Sequence, residues 1–289
     1  MVRLGKRRLK VAIDCANGMG GLEVKHVLSH LPMDTVCLYL EPDGSFPNHE
    51  ANPLNPANMR DLIALVLREK CDIGIAFDGD ADRACFCDEK GDIVGNDIVT
   101  ALIANDLVRP EPGAHVVYDL RSSRVVPQAI KALGGVPVRE RVGHAFMKAT
   151  LRRFKGPYGG ELSGHFYFRD LWYTDSGVYA AGLVLAQLSR TDEPFSKILA
   201  PLRRYPTTGE TNFEVADKDG LIEKIAAAFP DARQDRLDGI TVEYPTWWCN
   251  VRKSNTEPLL RLVMEADDAA TFAKAKAHLL AILGTPVAH

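Results

Sequence analysis

Apolar runs of strand length alternate with stretches of helical period along most of the 289 residues, the pattern made by α/β units around a largely parallel sheet. Leu9 to Asp14, Thr35 to Tyr39 and Asp72 to Phe77 read as strands, with helices over Gly21 to Leu31 and Asn58 to Lys70. After Arg109-Pro110-Glu111-Pro112-Gly113, which reads as a linker, the plan repeats. Strands are predicted from His115 to Asp119 and Val136 to Arg139, and helices over Val125 to Leu133, His144 to Phe154 and Gly177 to Leu188. Beyond Arg204-Tyr205-Pro206 the pattern changes. Strands near Gly209 to Val215, Ile240 to Tyr244, Trp247 to Val251 and Leu259 to Glu265, with helices at Asp219 to Phe229 and Asp268 to Leu283, predict an antiparallel sheet with helices on one face. The expected fold is therefore α/β: two α/β domains with mixed, largely parallel sheets, residues 1–108 and 109–204, followed by a smaller α+β domain, residues 205–289.

Composition narrows the class. The chain is 46% hydrophobic and 25% charged with a net charge of −3, which does not suggest nucleic acid as a partner. No apolar run approaches the roughly 20 residues of a membrane helix, and the first eight residues lack the apolar core of a signal peptide. A cytoplasmic protein is expected. Six cysteines lie mostly in apolar strand-like segments, and Cys85-x-Cys87 has no second pair to make a zinc site, so reduced thiols are expected.

The densest chemistry is Phe77-Asp78-Gly79-Asp80-Ala81-Asp82-Arg83, at a strand's C-terminal end, where open α/β sheets bind ligands. Alternate residues of an extended backbone lie about 6 to 7 Å apart on one side, and a curled loop brings Asp78, Asp80 and Asp82 closer. Three oxygen donors without nitrogen or sulfur favour Mg2+ or Mn2+, and crowded carboxylates without a cation would raise one another's pKa. A solvated acidic turn or a calcium loop is the bland alternative, although the glycine and closing glutamate of an EF-hand are absent. Asn17-Gly18-Met19-Gly20-Gly21, after the first strand, does not fit G-x-G-x-x-G and reads as a tight strand-to-helix turn. Glu41 to Pro56 reads as a surface loop.

Two further loops carry polar groups. In Gly159-Gly160-Glu161-Leu162-Ser163-Gly164-His165, Glu161 and Ser163 offer an acceptor and a hydroxyl to one side, as a sugar diol requires, and His165 can move a proton near neutral pH. A turn between two strands explains the glycines equally well. In Arg252-Lys253-Ser254-Asn255-Thr256-Glu257-Pro258, an arginine, hydroxyls and turn amides form a nest suited to phosphate, while Ser254 to Glu257 also spells a capping box.

With these three loops in this order, and with Asp14-Cys15-Ala16-Asn17-Gly18-Met19-Gly20-Gly21 before them, essentially the whole chain resembles the α-D-phosphohexomutase superfamily, in its bacterial phosphomannomutase/phosphoglucomutase branch. Leu162 and Asn255 fit that branch, since glucosamine-type mutases tend to glutamine and glycine there. The resemblance implies an isomerase that interconverts hexose 1-phosphate and hexose 6-phosphate through a hexose 1,6-bisphosphate and an enzyme phosphoserine. Asp78, Asp80 and Asp82 would hold Mg2+, with Arg83 beside the transferred phosphoryl group and His144 and His165 near the proton transfers. Glu161 and Ser163 would grip sugar hydroxyls. Arg252, Ser254, Asn255 and Thr256 would anchor the phosphate that is not reacting, and Arg121, where the family often has lysine, would contact the phosphosugar.

The serine loop of the resemblance, T-A-S-H-N-P-like, has no match; the one Ser-His pair, Ser29-His30, sits at a predicted helix end. The expectation is a chain holding the second to fourth domains of a four-domain enzyme, inactive alone, with a missing N-terminal domain that would pack on it and whose phosphoserine would complete the metal's coordination. A phosphatase of the haloacid-dehalogenase type is the enzymatic rival, but leaves the second and third loops without a role. A non-catalytic phosphosugar-binding protein is the rival from another class.

Overall fold

The computed structural model describes residues 4–255 and 257–287. They form two compact units, residues 1–203 and 204–289. In the first, β1 (Lys10–Asp14), α1 (Gly20–His26), β2 (Asp34–Leu38), α2 (Arg60–Glu69), β3 (Ile73–Phe77), β4 (Ala84–Asp88) and β5 (Ile93–Val94) build a sheet of order β2-β1-β3-β4-β5. β2, β1 and β3 run parallel, and β4 and β5 return antiparallel. Helix α2 forms because Leu62, Leu65 and Val66 recur on one face, which packs with Ala12 and Ala76 of the sheet; it stops at Lys70, in a left-handed conformation.

α3 (Asn96–Leu107) leads to β6 (His115–Asp119), α4 (Val125–Ala132), β7 (Val136–Glu140), α5 (His144–Phe154), β8 (Tyr158–Gly160), β9 (Phe166–Phe168), β10 (Thr174–Asp175), α6 (Gly177–Leu188) and α7 (Phe195–Leu199). The second sheet has the order β10-β9-β8-β6-β7, again parallel on one side and antiparallel on the other. The mixed character expected of both sheets is present, with antiparallel pairs making up half of each. Glu161 to His165 is indeed a turn between two antiparallel strands, β8 and β9. α3 packs against α4, α6 and β8, and eight of its twelve residues are buried.

The second unit holds β11 (Thr211–Glu214), α8 (Lys218–Ala228), β12 (Arg233–Asp235), β13 (Ile240–Glu243), β14 (Trp247–Lys253), β15 (Leu259–Ala266) and α9 (Ala269–Leu283). Its sheet, β11-β15-β14-β13-β12, is antiparallel throughout. Trp247, Cys249 and Val251 of β14 join Ile222, Ile225, Leu279 and Leu283 of the two helices in one apolar core. The alternate residues Trp248, Asn250 and Arg252 are on the opposite face and make polar contacts there. Among the described residues no helix is long and apolar enough to cross a membrane.

Candidate functional site

The acidic loop leaves β3 and turns back into β4, bringing one carboxylate oxygen each of Asp78, Asp80 and Asp82 within 4.8 Å of one another. Asp78 is buried and Asp80 exposed. The Arg83 side chain donates from Nε to Asp78 Oδ2 at 2.5 Å, and its backbone N–H donates to Asp78 Oδ1 at 3.1 Å. The arginine is thereby fixed beside the first aspartate. Burial, then the charges of Asp78 and Asp80, outweigh the pull of His165 and push the Asp82 carboxyl up to about 6. Such crowding is what a cation relieves, and an all-oxygen set that includes an exposed carboxylate fits a hard divalent ion.

This loop is joined to the glycine-rich turn through the backbone. Arg83 and His165 form an antiparallel bridge, and the Ala84 N–H donates to Gly164 O at 3.3 Å. Gly164 permits this with φ +89°. Asn96, at the start of α3, donates to Leu162 O at 3.1 Å, and Asp119, fully buried at the end of β6, accepts from the Leu162 N–H at 2.7 Å. The same Asp119 carboxylate receives Arg121 at 2.8 Å, so Arg121, only 5% exposed, is tied to the turn by one shared partner.

Glu161 is turned inward. Its Oε1 accepts the Gly143 N–H at 3.0 Å and its Oε2 the Tyr167 hydroxyl at 2.6 Å, with Ser163 Oγ at 3.5 Å. It therefore organises the site from beneath as well as lying near it: the Gly143 bond places the start of α5, where His144 is exposed. His165 Nδ1 lies 3.0 Å from Asp175 Oδ2 and 3.6 Å from Asp82 Oδ1, and Lys148 Nζ is 2.9 Å from Asp175 Oδ1. Burial lowers the His165 pKa, but the adjoining carboxylate of Asp175 and the charges of Asp82 and Glu161 more than offset this and leave it raised. Burial raises the Asp175 carboxyl in turn, and the adjoining His165 and Lys148 reverse that and hold it well below the carboxylate range.

Asp175, Lys148 and Tyr167 were not legible as site residues in the sequence. Asp175-Ser176-Gly177 looks only like a helix start, and Ser176 does cap α6 through the Tyr179 N–H. Gly177 also supports the site. A Cβ on it would sit 2.8 Å from the Arg83 carbonyl and 2.9 Å from Ala81 O, so α6 begins directly under the metal loop.

The phosphate-type loop belongs to the second unit and is the hairpin turn between β14 and β15, closed by Ser254 N–H to Leu259 O at 2.9 Å. Ser254 Oγ accepts the Glu257 N–H at 3.2 Å, the bond a capping box would make, but no helix follows. Asn255 is exposed, Ser254 half-buried and Arg252 buried at 2% exposure. Arg252 donates to Glu210 Oε2 at 3.0 Å, and Arg261 to Glu210 Oε1 at 2.8 Å; neither Glu210 nor Arg261 stood out in the sequence. Thr256 lies outside the described residues.

Three family models cover nearly all of the chain in consecutive blocks: phosphoglucomutase/phosphomannomutase α/β/α domain II on residues 1–91, α/β/α domain III on 95–205, and the C-terminal domain on 210–282. The chain belongs to the phosphoglucomutase/phosphomannomutase family, within the α-D-phosphohexomutase superfamily. It is similar to the phosphomannomutase of Methanocaldococcus jannaschii, with 39% identity over 91% of this chain and 58% of that protein. A phosphoglucomutase of Neisseria gonorrhoeae is 36% identical over 96% of this chain and 62% of the relative. A crystal structure of a family protein from Burkholderia thailandensis superposes with a TM-score of 0.87 at 34% identity, over 98% of this chain and 63% of that one. The chain thus spans about three fifths of the length of these relatives.

Proposed function

We propose that this chain carries the metal, sugar and phosphate loops of a phosphohexomutase that interconverts hexose 1-phosphate and hexose 6-phosphate by way of a hexose 1,6-bisphosphate. The observation that supports this most directly is the backbone join between the acidic loop and the glycine-rich turn at Arg83 and His165, which brings the carboxylate cluster beside the polar groups of the turn. Asp78, Asp80 and Asp82 would hold Mg2+, which supplies charge neutralisation for phosphoryl transfer when bound. Arg83, oriented by Asp78, would face the phosphoryl group. His165, beside Asp175, and His144 would serve the proton transfers. Glu161 and Ser163 would receive the sugar hydroxyls, and Arg121 the phosphosugar. Arg252, Ser254, Asn255 and Thr256 would take the phosphate that is not reacting. The nucleophile of this reading is a phosphoserine supplied by a segment that packs on these residues from outside the 289. The six free cysteines support a reducing compartment such as the cytoplasm.

The test is calorimetric titration of the chain with glucose 1-phosphate in the presence of Mg2+, together with conversion to glucose 6-phosphate when glucose 1,6-bisphosphate is added. Binding without turnover is expected. No binding would overturn the proposal, and turnover by the chain alone would show that the nucleophile lies within it. Binding that stays without turnover when a relative's serine-bearing segment is supplied would favour a non-catalytic phosphosugar-binding protein.

A further inference from the structure

Asp14 ends β1 and is 1% exposed, yet both of its oxygens are committed. Oδ1 accepts the Ala16 N–H at 2.9 Å and Oδ2 lies 3.0 Å from His49 Nε2. The other ring nitrogen of His49 is 2.8 Å from Glu50 O. A carboxylate and a carbonyl are acceptors only, so the ring satisfies both as the imidazolium, and the buried carboxylate receives the opposite charge that its burial demands.

Each half of this pair controls a segment that touches the acidic loop. The bond to Ala16 steadies a turn in which Ala16 and Asn17 both adopt positive φ, 47° and 56°, a left-handed conformation disfavoured for a residue with a Cβ. That turn delivers the Met19 N–H to Gly79 O at 2.9 Å and brings Gly18 so near that a Cβ on it would stand 2.6 Å from Gly79 O. His49 belongs to the long segment after β2, which Asn17 also gathers. Asn17 donates to Tyr39 O and Glu41 O and accepts from the Asp43 N–H and the Asn48 side chain. Phe46 and Ala51 of that segment then lie against Gly79, 3.6 and 3.7 Å from where its Cβ would be. Gly79, between Asp78 and Asp80, is therefore held on one side by the turn and on the other by the strap, and Asp14 joins the two.

We propose that Asp14 and His49 are positioning residues for the metal loop: the ion pair clamps strap and turn together on Gly79 and so sets the spacing of Asp78 and Asp80. This rests on the metal reading of that loop. The test is amide hydrogen exchange and Mg2+ titration of the full chain and its H49A variant, with circular dichroism to confirm the fold. Loss of exchange protection in the peptide Asp78 to Arg83 is expected, with Mg2+ affinity lowered on the order of tenfold, as for other residues that orient ligands from behind. Asp14→Asn, which keeps an acceptor for Ala16 and removes the charge pair, should shift both readouts the same way, and Ser45→Ala, elsewhere on the strap, should shift neither. His49→Gln keeps one donor toward Asp14 and serves where the alanine variant is unstable; it should fall between wild type and H49A. Unchanged protection of Asp78 to Arg83 in a folded His49 variant would overturn the proposal. If protection falls while the wild-type chain takes up no Mg2+, the positioning role stands and the metal reading fails.

Discussion

Substituting Gly177 by alanine tests whether the metal loop rests on α6 as rigidly as the packing implies. The new methyl carbon would stand 2.8 Å from the carbonyl carbon and oxygen of Arg83 and 2.9 Å from Ala81 O, where ordinary contact begins near 3.4 Å. The obstacles are backbone atoms, so relief requires the loop or the helix start to move by about 0.6 Å, and overpacking of this kind costs about 1–3 kcal/mol. The better helix propensity of alanine returns at most about 1 kcal/mol, and less at a first helical residue. A net loss of about 1–2 kcal/mol is expected in urea unfolding. Metal sites tolerate ligand displacements of only about 0.2 Å, so a shift of this size between Asp80 and Arg83 should also weaken Mg2+ binding on the order of tenfold. Stability within about 0.5 kcal/mol of wild type together with unchanged Mg2+ affinity would show that the loop yields freely, and would refute the argument that α6 supports it.

The Asp82 carboxyl, pushed up to about 6, holds its proton more tightly in the folded than in the unfolded chain. Its contribution to metal-free stability is therefore present at low pH and lost as pH rises from about 4 to about 6; the difference between wild type and D82N in pH-dependent unfolding should show this slope, and Mg2+ should reverse it above pH 6. Tyr167→Phe removes the hydroxyl that donates to the buried Glu161 and should cost about 1–3 kcal/mol by denaturation, with weaker phosphosugar binding in the same preparation. Glu210→Ala removes the carboxylate shared by Arg252 and Arg261; with Arg252 buried but Glu210 and Arg261 only partly so, a loss of about 1–3 kcal/mol is expected, read in the unfolding of the second unit.

What the sequence revealed depended on contrast between neighbouring positions. α5 and α6 begin and end where periodicity and flanking glycines place them, and the three polar loops stand at strand ends as expected. α3 escaped because it is buried on nearly every side, which leaves no polar face to set off an apolar one. Glu161 was legible as a polar residue in a glycine turn, but its inward direction depends on Tyr167 and Gly143, residues that meet only after the second sheet forms. Asp175 and Lys148 are 27 residues apart in sequence and meet only in the folded chain. Arg252 reads in the sequence as part of a phosphate nest, and its pairing with Glu210 comes from the register of β11 with β15 and of β15 with β14, which local pattern does not carry.

The join at Arg83 and His165 also bears on how such proteins can be cut. Family models divide the chain between residues 91 and 95, as if two modules met there. Yet the segment before β1 reaches the far end of the same unit, with Gly5 and Arg7 bonded to Ser189, while Asp88 holds Arg203 and Glu89 holds Ser196. A module defined by recurrence in evolution is here bonded to its neighbour along both main chain and side chains. Either half expressed alone would expose the seam through which the two loops are stitched, so an exchange between relatives is expected to keep the site intact when the pair of sheets moves together.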